Sequence, residues 1–200
     1  MKIKTLCVYC GASAGASTDY ADGARALAQA LVQHEIGLVY GGGKIGLMGT
    51  IADEMIRLGG AVTGVIPASL LAKEIGHSGL TALHIVKDMH ERKAMMAKLA
   101  DGFIAMPGGI GTLEELFEML TWSQLGFHDK PIGLLNVCGF YDGLLTFLDH
   151  LVRQGFLRAP HQNLLLHDAD PLQLISRCVA FTPRRLEKHS ATTGDAAPPR

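Results

Sequence analysis

The run Pro107-Gly108-Gly109-Ile110-Gly111-Thr112-Leu113-Glu114-Glu115 leads from an apolar, strand-like segment into a helix-like one. Glycine admits positive φ and lets a ligand approach the backbone closely. Amides at a helix start face outward and attract an anion. Gly109 to Thr112 could therefore offer amides and a hydroxyl to a phosphate. Two more glycine-rich turns occur, Gly11-Ala12-Ser13-Ala14-Gly15 and Gly41-Gly42-Gly43-Lys44-Ile45-Gly46. One such turn is a weak signal. Three at one edge of a sheet suggest a phosphorylated ligand. Gly41, Gly43 and Gly46 match G-x-G-x-x-G, but the next strand ends Val65-Ile66-Pro67, without the acidic residue that holds a dinucleotide ribose. No glycine turn ends in the G-K-[ST] of an NTPase loop.

Two further features carry charge. Thr112 and Glu115 stand in the T-x-x-E spacing of a capping box, and on pattern alone the cap is the better reading of Glu115. A cap and a chemical role do not exclude each other. Asp88 with Glu91 forms a similar helix start, followed by Arg92 and Lys93. Cations in a first helical turn oppose the helix dipole and lose up to about 1 kcal/mol. Such local conflicts mark functional sites, and a bound anion would reverse the sign. The plainer alternative is a solvated helix face. Ser13 is a candidate phosphate or ribose contact, against the alternative of simple turn chemistry.

The elements that must position these residues alternate regularly. Strands are expected at 5–10, 37–40, 61–66, 81–87, 102–106, 131–136 and 163–166. Helices are expected at 18–34, 47–58, 89–100, 112–125, 141–153 and 171–180, with an irregular stretch at 68–80. This order predicts an α/β fold, a doubly wound parallel sheet between two helical layers in a three-layer αβα domain. Its strands lack clean alternation, as expected when both faces are buried. Ligands in such folds bind beyond the strand C-termini, where the glycine turns lie. The single domain is expected to span 1–182, with a polar, disordered tail at 183–200.

Composition narrows the function classes. The chain has 200 residues, 48% of them hydrophobic, and a net charge of -1. That balance gives no electrostatic case for nucleic acid or an anionic membrane. No apolar run approaches a membrane span, and the N-terminal run is broken at Gly11, so a cytoplasmic protein is expected. Cys7 and Cys10 form a C-x-x-C in a strand, with no second pair for zinc, and read as free thiols with Cys138 and Cys178. The histidines show no metal-ligand spacing, so neither metal nor cofactor is implied.

The segments Gly41-Gly42-Gly43 with Gly46-Leu47-Met48-Gly49, Asp88-Met89-His90-Glu91-Arg92-Lys93, and Pro107 to Glu115 resemble the Lonely Guy (LOG) family of cytokinin riboside 5′-monophosphate phosphoribohydrolases. The resemblance covers roughly residues 4–180 in order. It implies a Rossmann-like fold, usually a homodimer, and a nucleoside monophosphate as the small-molecule partner. It implies that Arg92 and Glu115 form the catalytic pair. It also implies that Glu74, Lys93 and the turn from Gly109 through Ile110, Gly111, Thr112, Leu113 and Glu114 to Glu115 line the nucleotide site, with Gly108, Gly42 and Gly43 beside them. Glycosidic cleavage builds positive charge on the ribose, which a carboxylate at Glu115 would stabilise while orienting water. Glu114 lies about 100° round the helix and should point elsewhere. Arg92 is a poor proton donor, because its pKa exceeds about 12.

Many members of that family were once labelled lysine decarboxylases, but neither Lys44 nor Lys93 has the setting of a Schiff-base lysine. A different class remains open, a nucleotide or molybdenum-cofactor carrier without turnover, which would not need Arg92 and Glu115. Met89, Met119 and Trp122 are candidate walls for a prenylated base. The apolar residues Leu116, Phe117, Leu120 and Trp122 on one helix motivate the expected dimer.

Overall fold

The computed structural model describes residues 2–74 and 76–182, the side chains of 72–74 excepted. The expected tail at 183–200 lies outside the described residues. Seven strands form one sheet: β1 (Thr5–Tyr9), β2 (Gly37–Tyr40), β3 (Val62–Pro67), β4 (Ala82–Val86), β5 (Gly102–Ala105), β6 (Ile132–Leu135) and β7 (Leu165–Asp168). All neighbours pair parallel, in the order β4-β3-β2-β1-β5-β6-β7. The expected doubly wound sheet is thus observed. The winding reverses at β1, so a crevice opens between the C-terminal ends of β1 and β5.

The two faces of each strand enter different cores. Leu6, Val8 and Cys10 join one core with Tyr40 and Ile104. That core is covered by α1 (Thr18–Gln33), α2 (Gly46–Arg57) and α8 (Pro171–Ala180), through residues such as Leu27, Ile51 and Leu174. Cys7, Tyr9 and Phe103 face the other core. There α4 (Met89–Leu99), α5 (Ile110–Gln124) and α6 (Asp142–Arg153) pack, through Met96, Leu116 and Leu148. Burial on both faces explains why the strands read as unbroken apolar runs. It also settles the C-x-x-C: Cys7 and Cys10 enter opposite cores as free cysteines.

Two short helices were not expected. α3 (Ala68–Glu74) occupies the stretch read as irregular, and α7 (Ala159–Gln162) precedes β7. Strand β7 begins two residues later than its apolar run suggested, because Asn163 caps α7 instead of entering the sheet. Among the described residues, no helix is long and apolar enough to cross a membrane.

The glycine turns lock together at the crevice. The Gly11 amide donates to the Pro107 carbonyl at 3.0 Å, and the Gly11 carbonyl accepts from the Leu47 amide at 3.0 Å. Gly46 sits at φ 57, and a side chain there would land on the Ala12 carbonyl. We expect Gly46→Ala to lose roughly 2–4 kcal/mol, from left-handed strain plus overpacking against rigid backbone. Denaturant unfolding measures this, and an unchanged midpoint would mean that the contact between the first two turns is slack.

Candidate active site

Helices α1, α4 and α8 begin with side-chain caps from Ser17, Asp88 and Asp170. Helices α2 and α5, which leave the second and third glycine turns, begin without one. In α2 the Leu47 amide is taken by the Gly11 carbonyl, whereas the first-turn amides of α5 are left without a side-chain acceptor. This overturns the capping-box reading of Thr112 and Glu115. The N-cap of α5 is Gly109, with φ -90 and ψ -157, and the helix starts two residues earlier than the pattern placed it. The Leu113 amide closes the first turn onto the Gly109 carbonyl at 3.2 Å. Thr112 thus lies inside the helix, and Glu115 lies one turn in, where it cannot reach back.

The pieces of the third turn have distinct settings. Thr112 is buried, and its hydroxyl packs so closely on Gly108 that a side chain at Gly108 would collide with it. Gly109 and Gly111 face open space. Ile110 between them is 83% exposed, whereas Leu113 packs against the core. An anion can therefore reach the first-turn amides of α5 unobstructed.

Arg92 is 7% exposed. Its Nη2 donates to the Gly41 carbonyl at 3.2 Å, its Nη1 meets the Met89 sulfur at 3.6 Å, and its Nε is buried with no partner among the described residues. A guanidinium carries five N–H donors, so this one is far from saturated. Gly41 makes the placement possible, because a side chain there would occupy the space of Nη2. Glu115 is partly buried beside it. Burial raises the Glu115 carboxyl to about 7, against a smaller lowering by Arg92. The two groups feel each other's field, yet no ion pair between them is found.

Lys93 is engaged elsewhere. Its Nζ contacts Glu114 at 2.5 Å and Glu118 at 3.0 Å. Although burial opposes it, these carboxylates hold the ammonium above its ordinary value. The expected helix start at Asp88 is present: Asp88 accepts from the Glu91 amide at 2.9 Å, and Glu91 reaches back to the Lys87 amide at 2.8 Å.

A family model described as possible lysine decarboxylase matches residues 48–178. The chain is 48% identical over 183 residues to the cytokinin riboside 5′-monophosphate phosphoribohydrolase LOG1 of Arabidopsis thaliana, covering 92% of this chain and 86% of that protein. It is 46% identical over 193 residues to a probable cytokinin riboside 5′-monophosphate phosphoribohydrolase, LOGL1, of Oryza sativa subsp. japonica, covering 96% and 83%. The chain belongs to the LOG family. The molybdenum cofactor carrier protein MCP from Chlamydomonas reinhardtii superposes on this LOG-family chain with a TM-score of 0.67 at 19% identity, covering 90% and 100%. At that identity the likeness shows the fold alone.

The structure brings Arg92, Glu115, Thr112 and the turn from Gly108 to Gly111 to the C-terminal edge of the sheet. Gly42 and Gly43 are buried in the second turn. Ser13 is exposed, and its hydroxyl accepts from the Gly15 amide at 3.3 Å, as turn chemistry predicts. Glu74 ends α3, and its side chain lies outside the described residues. Lys93 is tied to two carboxylates and Lys44 is exposed, so neither is set up for the Schiff base that a decarboxylase would need.

The proposed walls for a base are redistributed. Met119 is 1% exposed and belongs to the core, and Trp122 packs on that core, while Met89 stays at the surface beside Arg92. Reasoning from sequence named Gly41 as part of a glycine turn but missed its contact with Arg92, and it missed Glu118 and an apolar cleft of about 310 Å³ beside Gly108 and Gly109, walled by Tyr20, Leu47 and Phe140. Only the spacing of Glu114 and Glu118, one helical turn apart, hinted at any of these.

The Glu115 shift has a stability consequence. The value is higher folded than unfolded, so folding disfavours the charged form. The penalty is absent below about 4.5, grows with rising pH, and is complete above about 7. We expect Glu115→Gln to leave stability unchanged near pH 4 and to raise it by up to about 3 kcal/mol near pH 8. Equal unfolding midpoints of both proteins near pH 8 would show that the carboxylate is well solvated.

Proposed function

We propose that this chain hydrolyses the N-glycosidic bond of a purine nucleoside 5′-monophosphate, of the cytokinin type or AMP, to the free base and ribose 5-phosphate. One observation carries the reading. A buried, unsaturated guanidinium and a carboxyl with a raised pKa stand together, unpaired, near the uncapped start of α5. Relatives that bear the phosphoribohydrolase name support it.

In this reading the amides from Gly109 to Thr112 hold the 5′-phosphate, where the helix dipole favours negative charge. The turns carrying Ser13, Gly42 and Gly43, and the end of α3 at Glu74, border the nucleotide. Arg92 contacts phosphate or ribose hydroxyls. Glu115 lies beside C1′, stabilises the cationic ribose and takes a proton from the attacking water. The water oxygen bonds to C1′ as the C1′–N bond breaks, and the departing base keeps the electron pair and gains a proton. A base is most effective when its pKa lies near the working pH, as the Glu115 value does. Lys93 with Glu114 and Glu118 ties α4 to α5, while Leu113 anchors α5 inward.

A carrier without turnover would need the glycine turns but not Arg92 with Glu115. We further propose a homodimer. The core absorbs Leu116, but Ile110 and Phe117 on α5 remain at the surface. The free cysteines fit the cytoplasm.

Purified protein incubated with AMP or with isopentenyladenosine 5′-monophosphate should release free base from at least one. Because the base form of Glu115 is required, kcat/KM should fall as pH drops through about 7. Glu115→Gln should lose at least about 100-fold in kcat and the pH limb with it. Near-normal turnover in that variant would remove Glu115 from the chemistry, and saturable binding without release would favour a carrier. For the dimer, light scattering at micromolar concentration should give twice the chain mass, and Phe117→Glu should halve it. A monomeric wild type would rule the dimer out.

A further inference from the structure

We propose that His77 is a positioning residue that acts on Arg92 through the second glycine turn. His77 follows α3, in a loop, yet it is only 6% exposed. Its Nε2 meets the Asp53 carboxylate of α2 at 2.9 Å, and its Nδ1 meets the Ser78 carbonyl at 2.6 Å. Both partners are acceptors, so in either tautomer a ring N–H donates to one of them. A buried polar ring that lost these partners would be costly. The Asp53 contact therefore ties the loop to α2, and the Ser78 contact fixes the ring within the loop.

The pinned backbone supports the glycine turn from below. The His77 amide donates to the Gly42 carbonyl at 3.3 Å, and Gly76 forms an antiparallel bridge with Gly43. Gly42 adopts φ 78 and is closed in on its other side by Ile66. The adjoining residue, Gly41, presents the carbonyl that receives Arg92 Nη2. A continuous chain of contacts thus runs from Asp53 through His77 and the turn to Arg92. Without it, the turn could shift on the scale at which small misplacements of a catalytic group cost up to about 100-fold in rate.

A purely structural tie between the loop and α2 predicts something different, a loss of stability with an unchanged kcat. The positioning role presupposes the hydrolase reading, which wild-type turnover tests first. We would measure His77→Gln, His77→Ala, Asp53→Ala and the double alanine variant with the better nucleotide substrate, alongside thermal melts. Each alanine variant should lose about tenfold in kcat with KM within about twofold. The double variant should be no worse than His77→Ala, since both act through one path. His77→Gln keeps a donor for one acceptor and should fall between, and it decides the matter if the alanine variants do not fold. A wild-type kcat in the folded variants, or additive losses, would overturn the role. If the wild type releases no base, the hydrolase reading fails, and amide hydrogen exchange decides for His77. Faster exchange in His77→Gln confined to residues 41–43 and 76–78 would support the role, and unchanged exchange there would overturn it.

Discussion

One residue, Gly11, ties the three glycine turns of the candidate site together. Its N–H is bound by the third glycine turn and its C=O by the helix that leaves the second. The first turn lies between them because the sheet reverses its winding at β1. The absence of side chains lets the three turns close on each other. At Gly46 and at Gly108, a single added carbon would strike the neighbouring turn or Thr112. The consequence is a rim of backbone in which the start of α2 is tied to Gly11 and the start of α5 has no side-chain cap.

Charge around this rim is divided between two neighbouring cations. Lys93 is neutralised by Glu114 and Glu118, which binds α4 to α5 and sets their spacing. Arg92, one residue earlier, is left with a carbonyl and a sulfur as partners. The difference follows from geometry, because adjacent residues on a helix face directions about 100° apart. One cation thus serves the scaffold while the other stays available. Glu115 and Glu114 repeat the division on the facing helix. Burying Glu115 costs stability above neutral pH, a conflict characteristic of sites kept for function.

The apolar periods and glycine punctuation of the chain were enough to read the strand–helix alternation, the parallel sheet and the edge where the site lies. Those signals are local and follow from which faces must be buried. The Asp88 cap was legible for the same reason, whereas Arg92, Thr112 and Glu115 stood out as a site only through the resemblance to the LOG family. The short helices α3 and α7 were not, since one or two turns have too few residues to show a period. The capping box failed because T-x-x-E spacing cannot say where the helix begins, and the close contact of Gly108 with Thr112 and Gly11 decided that.

What the sequence by itself determined, then, was the class of fold, the set of turns and the residue types able to do chemistry. Tertiary structure alone decided their partners. It placed Gly41 against Arg92 across 51 positions, gave Lys93 to Glu114 and Glu118, sent Met119 into the core and raised the Glu115 carboxyl. The physical reason is that a charge is set by what surrounds it after folding, in desolvation and in distance to other charges, and neither quantity is written in local spacing.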